Sequence, residues 1–244
     1  EITTRLVGSE MCIRDRMKVA VVKYNAGNIR SVDYALRRLG VEAEITADEK
    51  VLRAADKVIF PGVGEAETTM NFLNAGGMGR LIKELRQPVL GICLGMQCMV
   101  IEYARDVLGY KDANSTEMEP NTPFKVIDLM EEQKNITNMG GSMRLGAYDC
   151  ILKKGSKAYE AYGKEHIQER HRHRFEFNSQ YREQFEEAGM KCAGENPETG
   201  LVEVVEIPAL KWFVGVQFHP EYNSTVVNPN PLFVSFVKAA IDNK

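Results

Sequence analysis

Between residues 18 and 109, short apolar runs alternate with amphipathic stretches. Lys18 to Tyr24 reads as a strand, Asn28 to Leu39 as a helix closed by Gly40, and Ala43 to Thr46 and Lys57 to Phe60 as strands. About Glu65 to Leu73 and Met78 to Leu85 have helical spacing, Pro88 to Ile92 is a buried strand, and Leu94 to Val107 a helix. Apolar strands separated by helices predict a parallel sheet covered on both faces. After Gly109 the pattern changes. Lys111 to Phe124 is polar and proline-containing and reads as a loop. Beyond it, alternation predicts strands at Lys125 to Leu129, Ser142 to Leu152, Ile167 to Phe177, Lys191 to Ala193, Leu201 to Ile207 and Trp212 to Phe218. Helices are expected at Gln180 to Ala188 and Pro231 to Ile241. The expected fold is α/β: one domain with a central, mostly parallel sheet flanked by helices, and extra antiparallel strands in the C-terminal half.

The candidate chemistry sits where strand 88–92 meets helix 94–107. Cys93 falls on that turn, between Gly91 and Gly95. Glycines leave room for a sharp turn that pushes a side chain out of the fold, the thiol counterpart of the G-x-S-x-G elbow. A cysteine at a helix N-terminus also has its thiolate favoured by the helix dipole. The competing reading is a buried core cysteine beside a glycine-rich turn. A nucleophilic thiol needs a base, and the base needs a group that holds its orientation. Gln217-Phe218-His219-Pro220-Glu221 follows the strand-like Trp212 to Val216. In an extended segment His219 and Glu221 share one face, and Pro220 favours that geometry.

Composition narrows the class. At 244 residues and 44% hydrophobic content the chain can bury one good core. A net charge of −3 implies neither a nucleic-acid nor a membrane field. The five cysteines (12, 93, 98, 150, 192) show no paired or metal-like spacing, which fits a reducing cytoplasm. No apolar run approaches a membrane span, and no secretory signal is evident. No cofactor is expected, and no G-x-x-x-x-G-K-[ST] phosphate loop is present. Residues 1–16 lack periodicity, and Glu10 to Arg16 look like a translated sequencing adapter. They are expected to be a non-native, disordered leader before a domain at 17–244, the alternative being a short natural extension.

Gly91 to Gln97 together with His219-Pro220-Glu221 resemble the class I, triad-type glutamine amidotransferases, which release ammonia from the side-chain amide of glutamine and pass it to a synthase. The resemblance spans roughly Lys18 to the C-terminus and implies a flavodoxin-like domain. It implies Cys93 as nucleophile, His219 as general base and acid, and Glu221 as the orienting carboxylate. Amide hydrolysis passes through an oxyanion, which needs converging N–H donors. Leu94 N–H is one candidate, and the turn containing Gly62, Val63 and Gly64 implies the second. Free glutamine carries an ammonium and a carboxylate, and the resemblance assigns Gln97 and Glu117 to the first and Arg174 to the second. The cluster Arg170-His171-Arg172-His173-Arg174 could otherwise be a half-solvated strand, and its two histidines bring no further metal-ligand set with them.

Two more specific resemblances divide the chain. Lys23 to Val32 and Phe60 to Ala66 resemble the glutaminase subunit of imidazole glycerol phosphate synthase, of histidine biosynthesis, which docks on a cyclase barrel partly through residues like Asn25 and Asn28. Asp112 to Met118, Ile127 to Lys134, Met139 to Gly146, the Arg/His cluster and Gln217 to Glu221 resemble the glutaminase domain of CTP synthase, which serves an amidoligase domain in pyrimidine biosynthesis. Both share Gly91 to Gln97, so a chimera joined near 91–97 is expected, with neither docking surface complete and with packing between the halves at risk. The partners implied are L-glutamine and an ammonia-receiving synthase domain, with no nucleic acid and no membrane. Two rivals from other classes are a γ-glutamyl peptide hydrolase and a non-catalytic domain that only docks on a synthase.

Overall fold

The computed structural model describes residues 17–239 except 25–27, 63–80, 82–83 and 130–142. Strands β1 (Val19–Val22), β2 (Ala43–Thr46), β3 (Lys57–Phe60) and β4 (Val89–Ile92) alternate with helices α1 (Ile29–Arg38) and α2 (Glu49–Ala54). Helix α3 (Leu94–Asp106) leads to β5 (Ala113–Ser115), β6 (Phe124–Asp128) and β7 (Arg144–Leu152). Then come α4 (Lys157–Tyr162), β8 (His166–His173), β9 (Glu176–Phe177), α5 (Arg182–Ala188), β10 (Lys191–Glu195), β11 (Val202–Glu206), β12 (Phe213–Val216) and α6 (Pro231–Lys238). Nine strands form one sheet in the order β2-β1-β3-β4-β12-β11-β10-β7-β8, and β5, β6 and β9 form a second. The pairings from β2 to β12 are parallel, and those from β12 to β8 are antiparallel.

Strand alternation explains the core. Val19 and Val21 pack in a cluster with α1 and α6, whereas Ala20 and Val22 pack with Leu52, Leu94, Cys98 and Met99 on the other face. Both faces of the parallel region are therefore covered, and every residue of β1, β3 and β4 is buried. Helix α3 is buried on nearly all sides because its second face packs Met96, Val100, Ile101 and Ala104 against the smaller sheet. The halves on either side of residues 91–97 share one core: Val19, Val21 and Leu36 join Val216, Phe218, Phe233 and Phe236 in a single cluster.

Several expectations change on the structure. The loop over 111–124 contains the short strand β5, which pairs parallel with β6. The strand expected over 167–177 divides between two sheets, β8 joining the large one and β9 the small one. Helices α2 and α4 were not evident from apolar spacing, yet each carries a cap: the Asp48 side chain accepts from Lys50 N at 2.8 Å, and Ser156 Oγ from Tyr159 N at 3.0 Å. The helix expected at 65–73 lies outside the described residues, as does most of the one at 78–85.

Candidate active site

The parallel strands deliver their carboxyl ends to one edge, where Cys93 directly follows β4. Cys93 has φ 51 and ψ −110, the single positive φ among described non-glycine residues. Backbone strain of this kind costs on the order of 1–3 kcal/mol and persists where the surroundings enforce it. Here Cys93 N donates to Val216 O at 2.7 Å and Gln97 N to Cys93 O at 3.1 Å. Gly91 and Gly95 were expected to leave room for a strained turn, and the positive φ of that turn sits on Cys93 itself. The glycines allow close approach. A Cβ on Gly95 would meet Phe60 O at 2.3 Å, and one on Gly62 would meet Ile92 O at 1.9 Å and Leu94 N at 2.5 Å. Gly62 thus lies against the backbone amide that follows Cys93, while Val63 and Gly64 fall outside the described residues.

His219 follows β12, the parallel neighbour of β4, so the sheet itself brings the two segments together. His219 Nδ1 lies 2.7 Å from Glu221 Oε1, its backbone N–H donates to Arg170 O at 2.8 Å, and its ring stacks on Tyr222 with centroids 4.8 Å apart. Pro220 begins a 3₁₀ turn over Pro220–Tyr222 that holds Glu221 beneath the ring, in place of a simple extended pair. The ring of His219 is buried, and Nε2 makes no well-aligned hydrogen bond. Burial alone would lower the basicity of this imidazole. Attraction to Cys93 and then to Glu221 outweighs it and raises His219 to about 10, favouring an imidazolium beside the sulfur.

A cavity of about 240 Å³ opens above the thiol, lined by Gly62, Leu94, Gln97, Glu117, Arg174 and Phe175 among others. That is small for a ligand site, which suits a compact substrate. Larger grooves, of about 600, 610, 500 and 310 Å³, lie elsewhere among the described residues and contain none of these groups. Burial raises the Glu117 carboxyl above its usual range, opposed by attraction to Arg174, so the two face each other across the cavity. Of the described residues singled out from the sequence, Gly62, Cys93, Leu94, Gln97, Glu117 and Arg174 line this cavity, while His219 and Glu221 lie outside its lining, with His219 held next to Cys93.

The structure gives several residues contacts that the sequence did not assign to them. Asn28, expected on a docking surface, is buried, and its Nδ2 donates to Glu221 Oε1 at 2.9 Å. Gln217 lies between Gln97 and Cys93. His171 and His173 gain a third neighbour, Glu203, with possible ligand atoms within 4.8 Å of one another. A guanidinium holds the place a cation would take: Arg144 lies 2.8 Å from Glu203 Oε1 and 3.3 Å from Glu176 Oε1. The two imidazoles meet at 2.8 Å, and burial followed by repulsion from neighbouring positive or histidine groups drives both basicities down, His171 to about 2. The group is a self-neutralised ion cluster beneath the cavity wall.

The glutamine amidotransferase class-I family model matches residues 20–239. A CTP synthase of Porphyromonas gingivalis is 56% identical over 254 aligned residues, covering 100% of this chain and 45% of that protein. A CTP synthase of Bacteroides fragilis is 64% identical over 195 residues, covering 80% of this chain and 36% of that protein. Among solved structures, the Trypanosoma brucei CTPS glutaminase domain with bound acivicin superposes with a TM-score of 0.81 at 33% identity, covering 93% of this chain and 94% of that one. The chain thus spans less than half the length of the curated relatives it matches. Relatives of one kind align along its whole length, so the resemblance to imidazole glycerol phosphate synthase and the junction near 91–97 find no support. The elbow cysteine, the fold that presents it and these likenesses agree: the chain belongs to the class I glutamine amidotransferases and resembles the glutaminase domain of CTP synthases.

Proposed function

We propose that this chain hydrolyses L-glutamine to glutamate and ammonia through Cys93, His219 and Glu221, as the cytoplasmic glutaminase part of a CTP synthase. The observation that carries the reading is the buried pair His219–Glu221, 2.7 Å apart, beside a strained cysteine at the floor of a small, oppositely charged cavity. Cys93 thiolate attacks the side-chain carbonyl carbon of glutamine. The developing oxyanion meets Leu94 N–H and a donor from the turn of Gly62, Val63 and Gly64. Imidazolium His219 gives its proton to the departing nitrogen, and ammonia leaves a γ-glutamyl thioester. Neutral His219 then takes a proton from water, hydroxide displaces the sulfur, and glutamate leaves with the thiolate restored. Glu221 orients the ring and favours its charged form. Arg174 holds the substrate carboxylate, and Glu117 with Gln97 the ammonium.

The ammonia would be delivered to an amidoligase domain that converts UTP to CTP, the reading favoured by the relatives' identity over the alternative cyclase partner of histidine biosynthesis. No described helix is long and apolar enough to cross a membrane. The test is ammonia release from glutamine by the purified chain. Cys93→Ala should abolish release while glutamine still binds, and Arg174→Ala should mainly raise KM. Equal loss of binding in both variants would overturn these roles. Faster hydrolysis of γ-glutamyl peptides, whose substituted amide releases an amine in place of ammonia, would favour a peptide hydrolase instead.

A further inference from the structure

The amide of Gln217 is wholly buried directly after β12, between the nucleophile proposed above and the cavity wall. Its backbone is fixed by Gln217 N donating to Glu203 O at 2.8 Å. The orientation of its side chain follows from a chain of hydrogen bonds anchored on a group that can only accept. Phe175 O is a backbone carbonyl, and Gln97 reaches it at 2.9 Å, so the Gln97 atom there is Nε2. The second hydrogen of that Nε2 is directed at Gln217, 3.2 Å away, which makes the Gln217 atom Oε1. Gln217 Nε2 is then left facing Cys93 Sγ at 3.6 Å, and it donates. Gln97 keeps Oε1 as its acceptor. One carbonyl thus sets the polarity of two amides and aims an N–H at the sulfur.

We infer that Gln217 is a further catalytic residue, whose Nε2–H holds and stabilises the sulfur of Cys93 as a nucleophile. The inference rests on the reading of Cys93 as that nucleophile. A donor of this kind is worth most when its acceptor is charged, so it favours the attacking thiolate and the same thiolate released on thioester hydrolysis. Gln217 moves no proton. It complements His219, which approaches the sulfur from the imidazole side and must pass its proton on, while Gln217 keeps its own through the whole cycle. Because the relay begins at Gln97 beside the cavity, the group that faces the substrate also aligns the donor to the thiol. The alternative is that Gln217 only fills space behind Phe218, in which case an apolar side chain of similar length would serve equally.

The experiment compares the purified wild-type chain with Gln217→Met, which keeps the length without a donor, and Gln217→Glu, which keeps the shape and the acceptor toward Gln97. Alkylation of Cys93 by iodoacetamide at neutral pH is followed by mass spectrometry of the Cys93 peptide, alongside kcat and KM for ammonia release. The inference expects Gln217→Met to slow both alkylation and kcat by roughly tenfold to a hundredfold, the worth of one charge-assisted hydrogen bond, with KM changed less than about threefold. Gln217→Glu should be slower still, since it sets an acceptor against the sulfur. Melting temperatures of both variants separate this from misfolding, and if Gln217→Met fails to fold, Gln217→Glu decides. Variants that alkylate and turn over within about twofold of wild type would overturn the role of Gln217 alone. A wild-type chain inert to iodoacetamide at Cys93 and silent toward glutamine would overturn the nucleophile reading, and Gln217 with it.

Discussion

At the residue scale the decisive coupling is between Cys93 and His219. Burial opposes the charge on His219, while Cys93 and Glu221 together raise it to about 10 from an ordinary 6.5. The stability contributed by the charged ring is fully present below the ordinary histidine value and is lost as pH rises through about 10. In Cys93→Ala the largest raising influence disappears while burial remains, so the NMR titration midpoint of His219 should fall well below that of wild type. An unchanged midpoint would mean that sulfur and imidazole do not share a proton. Asn28 offers a second check, because its Nδ2 bonds the same carboxylate oxygen that receives His219. Asn28→Ala should lower kcat roughly tenfold with little change in KM or melting temperature, and Asn28→Asp should do worse by placing a like charge beside Glu221. Cys93, His219 and Glu221 stood out in the sequence because each sits in a short chemical pattern, whereas Glu117 and Arg174 were picked out only through the family resemblance. The roles of Asn28 and Gln217 did not stand out, since they arise from contacts 193 and 124 residues away in the chain.

At the scale of elements, the strand-turn-helix around Cys93 depends on a second turn pressed against it. Gly62→Ala would drive a Cβ into Ile92 O and Leu94 N, forcing the elbow open. It should destabilise the fold by about 1–3 kcal/mol, as overpacking does, and lower kcat more than a core change of equal stability cost. Denaturation and turnover measured together check both parts. The antiparallel wing carries the ion cluster. Burial first of all raises Glu176 to about 8, with Glu203 adding repulsion and Arg144 opposing. A raised acid stabilises the fold in its neutral form, present below the ordinary 4.5 and lost as pH rises through about 8. Glu176→Gln should therefore flatten the decline in stability over that interval, read from denaturant midpoints at several pH values. The bounds of β3 and the start of α3 were legible because the mainly apolar runs 57–60 and 89–92 are closed by the Pro61-Gly62 and Cys93 turns. Strand β2, an edge strand carrying Glu44, was legible from its short β-favouring run after Gly40. The separation of β8 from β9 was not, since alternation continues through a point where the chain leaves one sheet for another.

At the scale of the whole molecule, one sheet spans both halves, with the triad candidates on the adjacent strand ends of β4 and β12. The sequence reading of two families rested on local likeness near the N-terminal turns, whereas the shared core and the full-length alignments treat the chain as one piece. The chain spans less than half the length of its curated relatives. The measurement that tests the central claim most directly is mass spectrometry of the chain quenched during glutamine turnover. A γ-glutamyl adduct confined to the Cys93 peptide, and absent in Cys93→Ala, is the predicted result. Ammonia release with no adduct, or with the adduct on another residue, would contradict it.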